Sequence, residues 1–165
     1  MDATGENSTH IDSSQISLVY ETCKDNWLGP LSTFSAYPIN IDKILYPNAE
    51  HAIQCLRMKI IGHSEQCALL HKKKTPHECR RLGDTYFEKN CTHSEQLIWR
   101  NGKELETLVR VFWLRVIQNS AVREYLLSTA DSPLICFTMN NPRWFLESSI
   151  HTYIREQIRE IDAQN

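Results

Sequence analysis

The chain has 165 residues, 41% hydrophobic and 23% charged, which suits one compact domain with a real core and argues against general disorder. The formal net charge of −2 leaves no global basic field for nucleic acid, and no apolar run approaches the roughly 18 residues that a membrane span needs. The opening MDATGENSTHIDSS has neither the positive start nor the apolar stretch of a secretory signal, so Cys23, Cys55, Cys67, Cys79, Cys91 and Cys136 are expected as reduced thiols in a cytoplasmic or nuclear protein.

Residues 1–15, rich in Ser, Thr and Asp, are expected to be a flexible lead, and 16–165 a single domain. ISLVY (16–20) predicts a strand, and CKDNWLGPLSTFSAYP (23–38) an irregular loop punctuated by Gly29, Pro30 and Pro38. In INIDKILY (39–46), Ile39, Ile41 and Leu45 alternate with polar partners as in a short hairpin. Helices follow over 48–61 and 64–71. A third opens at TPHE, where Thr75 caps, Pro76 takes the first helical position and Glu78 completes a capping box; Gly83 reads as its end. KELETLVRVFWLRVIQ (103–118) places Leu105, Leu108, Val109, Phe112 and Val116 on one face. Ser120 caps a short helix to Ser128, and LICFT (134–138) is an apolar strand behind Pro133. The closing helix turns Ile150, Tyr153, Ile154, Ile158 and Ile161 inward. Strands, then many helices, then one late strand make an α+β fold, mostly helical with a few short strands.

The chemistry concentrates in YPNAEHAIQCLRM (46–58), where an acid and an imidazole, Glu50 and His51, fall in the first turn of a helix. With Asn48 as cap, Glu50 lies where unpaired N–H groups and the helix dipole favour a carboxylate. At about 100° per residue, Glu50, Gln54 and Arg57 share one stripe. Acid, amide and guanidinium in line can wall a polar pocket, the amide and cation holding a ligand while the carboxylate moves a proton. The same stripe also fits a solvated helix face.

The run GPLSTFSAYPINIDKILYPNAEHAIQCLR (29–57) resembles the signature of the NADAR (YbiA-like) superfamily. Its members show Phe-Ser-Asn-Phe, a Pro and an Asp, then Trp/Tyr-Pro-x-x-Glu-His-x-x-Gln-x-x-Lys. TPHECRRLGD (75–84), Trp99 with the 103–118 helix, and VREYLLSTADSPLI (122–135) resemble later blocks, so the likeness spans residues 20–145 or so. It implies an α+β N-glycosidase fold that cleaves a ribose–base bond, in riboflavin-pathway intermediates or in ADP-ribosyl-guanine, without a cofactor. It implies Glu50 as the acid–base carboxylate and Thr33, Phe34, Glu50, Gln54, Arg57, Trp99 and Trp144 at the ligand site. The family's nucleophilic lysine, which traps the opened sugar as a Schiff base, maps onto Arg57. A Schiff base needs a neutral amine; a guanidinium stays charged and forms no such adduct, although it can clamp an anion.

Other departures run the same way. Thr33 stands for the family's Asn, Leu31 for its first Phe, Cys136 and Asn141 for two late carboxylates and Phe145 for a Gly. The family's closing Asn-x-Leu-Gly has no counterpart in LESSIHTYIREQIRE. The expected function is therefore a catalytically degenerate binding or scaffolding module for a protein partner, with a nucleotide or ADP-ribose-like ligand. The alternative is an active N-glycosidase that uses Glu50 and water directly.

Metal is not expected, because His77-x-Cys79 and Cys91-x-His93 are tighter than a zinc knuckle and the helical pair Cys67 and His71 supplies only two donors. HKKKTPHECRR (71–81) sets Lys72, Lys73, Lys74, Arg80 and Arg81 against Glu78 with no aromatic between them. That reads as a solvated loop, with a weak phosphate or nucleic-acid contact as the alternative. The helix 148–163, with Arg155, Glu156, Arg159 and Glu160 outward and Trp144-Phe145 before it, replaces the family's final segment and is expected to cover the old pocket or offer a docking face, with plain core packing as the alternative.

Overall fold

The computed structural model describes residues 17–21, 29–137 and 144–165; the expected lead lies outside them. β1 (Ser17–Glu21) pairs in parallel with β4 (Leu134–Phe137), Ser17 opposite Leu134 and Glu21 opposite Phe137. Parallel partners need a long crossover, and among the described residues it contains a hairpin and six α-helices. In the hairpin, β2 (Ile39–Ile41) runs antiparallel to β3 (Ile44–Tyr46). Its two turn residues, Asp42 and Lys43, have φ of 52° and 66°, the double left-handed turn whose twist matches paired strands.

The helices are α1 (Ala49–Ile60), α2 (Ser64–His71), α3 (Pro76–Asn90), α4 (His93–Ile98), α5 (Glu104–Gln118), α6 (Ser120–Ser128) and α7 (Trp144–Ala163). None among the described residues is long and apolar enough to cross a membrane. α1 is the axis of the domain, touching α2, α3, α5 and the hairpin. Every residue from Ala49 to Met58 is buried, so the Glu50 stripe is interior and not a solvated face. Four polar side chains therefore enter a low-dielectric core, where each must find a partner.

Four features differ from expectation. Ser120 is the first helical residue of α6 and not its cap: Asn119 holds that position, and no side-chain cap bond forms there. Gly83 does not end α3, which continues through it to Asn90. α4 follows from Thr92, whose hydroxyl accepts from Glu95 N while the Glu95 carboxylate accepts from Thr92 N, a capping box legible as T-H-S-E. The inward faces of the two long helices are also rotated. On α5 Leu105 is exposed, while Thr107, Val111 and Arg115 are buried. On α7 Ile150, Ile154 and Ile158 point inward as expected, but Tyr153 (54%) and Ile161 (46%) are exposed. Arg155 is buried, donating to Thr129 Oγ1 and Ser132 O at 2.9 Å each. A guanidinium bridging α7 to the turn before β4 displaces an apolar residue because that turn presents oxygens that need donors.

Candidate functional site

The site is the seam between the loop 29–35, α1 and α3. Arg115, buried on α5, donates from Nη1 to Leu31 O at 3.1 Å and from Nη2 to Pro30 O, so the loop hangs from a core guanidinium. Asn48 caps α1 by accepting from His51 N at 3.1 Å. The Glu50 N–H donates to Thr33 O at 3.0 Å, and Thr33 Oγ1 donates to Glu50 Oε2 at 3.0 Å. Thr33 thus satisfies both a first-turn amide and the carboxylate beyond it.

From Glu50 a chain of charges crosses to α3. Gln54 Nε2 donates to Glu50 Oε1 at 2.7 Å, and Arg57 Nη2 donates to Gln54 Oε1. Arg57 Nη2 also pairs with Asp84 Oδ1 at 2.9 Å, and its guanidinium lies over the Phe87 ring at 4.6 Å. Arg80 Nε stands 3.9 Å from Glu50 Oε1 and 3.7 Å from Asp84 Oδ2. Two carboxylates and two guanidiniums balance, which is the condition for holding charge in a core. Glu50 and Arg57 are 1% and 2% exposed, whereas the Arg80 side chain keeps 25% of its surface in solvent.

Gly83 makes the seam tight. A Cβ there would lie 2.2 Å from Gln54 Oε1 and 3.2 Å from Arg57 Nη2, so only glycine lets α3 approach. The backbone at Gly83 is helical, and the residue is there for contact distance and not for a stop.

The predicted residues divide accordingly. Thr33, Glu50, Gln54 and Arg57 come together. Phe34 flanks them, its ring edge-on to His77 at 4.5 Å and beneath Arg80 at 5.6 Å. Trp99 is buried in the core at the turn into α5. The side chains of Cys136, Trp144 and Phe145, and all of Asn141, lie outside the described residues. Glu50 and His51 do not act as a pair: His51 faces Asn48 Oδ1 at 2.8 Å and Lys73 O at 3.0 Å. Burial holds its ring below the ordinary histidine range. Lys59, the amine two positions beyond Arg57, turns to Tyr46 Oη at 3.3 Å.

Sequence reasoning missed Arg80, Gly83, Asp84 and Phe87, although their i, i+3, i+4, i+7 spacing marks one helix face. Residues 80, 84 and 87 repeat the spacing of 50, 54 and 57, so two matching stripes meet. Ending α3 at Gly83 hid the second. Arg80, read as part of a solvated basic stretch, is in fact aimed at the buried acid.

Chemically, Glu50 is a carboxylate held by two donors with a third, charged one at its edge. Cys79 lies near it as a neutral thiol, pushed up by burial and then by the Glu50 charge. Arg57 has its guanidinium committed to Asp84 and Gln54, whereas Arg80 reaches Glu50 and Asp84 only at their edges.

The NADAR domain model matches residues 19–156. The chain is 24% identical over 144 residues to proteins named N-glycosidase YbiA from Shigella boydii, Shigella sonnei and Escherichia coli K12, across 87% of this chain and 83% of each relative. The NMR structure of the E. coli protein YbiA superposes with a TM-score of 0.69 at 19% identity, covering 96% of this chain and 94% of that one. That likeness establishes the α+β fold.

Proposed function

Because the chain belongs to the NADAR family, we propose that it is a binding module built on the N-glycosidase fold, in which the covalent opening of a ribose has been given up. The observation that carries this reading is Arg57. Where the family resemblance calls for an amine, a guanidinium sits buried, ion-paired to Asp84 and bonded to Gln54. It has no free electron pair with which to attack a sugar carbon.

The ligand face is Phe34, Glu50 and Arg80. Arg80, with a quarter of its side-chain surface in solvent, meets the anionic part of a nucleotide or ADP-ribose-like ligand, and its departure from Glu50 uncovers the carboxylate for a ribose hydroxyl. A protein partner docks on the outer side of α7, where Tyr153 and Ile161 are exposed. The described cysteines, Cys55, Cys67, Cys79 and Cys91, are free thiols, in keeping with a reducing cytoplasmic or nuclear setting.

A second reading has its own support: Glu50 is retained and held by Thr33 and Gln54, so a water activated directly by this carboxylate would give an active N-glycosidase. The two readings separate in one assay. Protein is incubated with ADP-ribosylated guanine and with a ribosylaminopyrimidine phosphate; free base is followed by chromatography, and adducts are trapped with borohydride. The binding-module reading expects no free base, no trapped adduct, and saturable ADP-ribose binding weakened by Arg80→Ala. Base release abolished by Glu50→Gln would establish the enzyme instead.

A further inference from the structure

Away from the Glu50 seam, three donors of different chemistry converge where α2 begins and α3 hands over to α4. A ring nitrogen of His63, Sγ of Cys91 and a carboxylate oxygen of Glu95 all lie within 4.8 Å of one another. We propose that this notch binds one zinc-class divalent cation through His63 Nε2, Cys91 Sγ and Glu95 Oε1, with the fourth position open to water.

The surroundings set each donor. Glu95 Oε2 is occupied, accepting from Thr92 N at 2.7 Å and Thr92 Oγ1 at 2.9 Å, which leaves Oε1 facing His63 Nε2 at 3.2 Å. The other ring nitrogen of His63 lies 3.1 Å from Tyr86 Oη. A proton on Nδ1 donated to that oxygen leaves the Nε2 lone pair for a metal, the outer-sphere arrangement that orients metal-binding histidines. The backbone of Cys91 is held by Gln96 Nε2, which donates to its carbonyl at 3.2 Å.

The geometry is of the right size. Tetrahedral zinc with bonds of about 2.0–2.3 Å has donor–donor edges of roughly 3.3–3.8 Å. The 3.2 Å His63–Glu95 edge is close to that range, and no pair has to close by more than about 1 Å. A thiolate, an imidazole and one carboxylate favour zinc over magnesium or calcium, which prefer all-oxygen shells. The side chains of His63 and Glu95 are 20% and 28% exposed, so an ion has a way in. On binding, the Cys91 thiol loses its proton to solvent as the S–metal bond forms, and no redox change is involved.

The notch is separate from the Glu50 group. Cys91 lies seven residues beyond Asp84, about 10 Å farther along the chain direction of α3. His63 and Glu95 are in none of the pairs weighed from spacing, Cys67/His71, His77/Cys79 and Cys91/His93. Only Cys91 recurs, with partners that sequence spacing does not bring together.

The test uses the full chain freed of metal by a chelator. Zinc alone is titrated in competition with a chromophoric indicator, and cobalt alone is added to read a thiolate-to-metal charge-transfer band. Glu95→Gln is the discriminating variant, since glutamine keeps the capping role at this position while losing the anionic donor. One equivalent of zinc, weakened at least about tenfold by both Glu95→Gln and Cys91→Ser, with the cobalt band present in the wild type, is the expected result. No binding at micromolar zinc, or binding untouched by either substitution, reduces the trio to a hydrogen-bonded cluster and overturns the proposal. Should Cys91→Ser unfold, the cobalt band of the unmodified chain decides: its absence is equally fatal.

Discussion

Gly83→Ala sets two effects of opposite sign against each other. In an exposed helix interior this substitution stabilises by about 0.8–1 kcal/mol, because alanine has the better helix propensity. Here the new methyl lands 2.2 Å from Gln54 Oε1, an overlap that something must relieve. The backbone of α1 is packed on all sides, so Gln54 is the group to move. It is fully buried, and its amide joins Glu50 at 2.7 Å to Arg57. Swinging it away breaks two hydrogen bonds to charged partners, at about 1.5–3 kcal/mol each. After the propensity gain, the net loss is about 2–5 kcal/mol. For a chain of this size that lowers Tm by roughly 4–20 °C. Urea unfolding of wild type, Gly83→Ala, Gln54→Ala and the double variant closes a cycle. Removing the Gln54 amide removes the obstacle, so Gly83→Ala in that background is neutral or stabilising, and the coupling is at least about 2 kcal/mol. A stabilised single variant, or strict additivity, would mean that α3 does not press on Gln54 and that the charge chain is not assembled as described.

Arg115→Met strips the donors from Pro30 O and Leu31 O and costs about 2–4 kcal/mol by chemical denaturation, with faster amide exchange across residues 29–35. A loss below about 1 kcal/mol would show that the loop is held by something else. His151 is the acid-sensitive group of the core. Complete burial, helped by the Arg115 guanidinium, holds it down at about 3 against an ordinary 6.5. The folded state refuses a proton that the unfolded state accepts, so the stability is full above about 6.5 and is lost as pH falls toward 3. Between pH 7 and about 4.5 this one ring accounts for about 2–3 kcal/mol. His51, also lowered, acts in the same sense. His151→Gln should flatten the fall by that amount, and parallel stability–pH curves for the two proteins would refute the assignment.

Much of the fold was legible because local chemistry dictates it. Thr75-Pro76-x-Glu78 opens α3 by hydrogen bonds within one turn, and Asn48 starts α1 in the same way. The strands 17–21 and 134–137 were visible as apolar runs, but their parallel pairing was not. The Glu50, Gln54, Arg57 stripe was found from spacing, yet spacing is identical for a buried and a solvated face. Gly83 was misread because a helix-ending glycine and a close-contact glycine look alike until the neighbouring helix is known. Arg155 and Tyr153 exchanged their expected places for a related reason: an oxygen-rich turn beside α7 outbid apolar patterning.

What the sequence determined alone was most of the elements, the caps at Asn48 and Thr75 and the identity of residue 57, since these follow from bonds within a few residues and from side-chain chemistry. What only the tertiary structure decided was which faces meet. The opposition of residues 50, 54 and 57 to 80, 84 and 87, and the meeting of His63 with Cys91 and Glu95, arise from contacts across 27–32 residues. Such partners are selected by burial and charge balance in three dimensions, to which a one-dimensional period is blind.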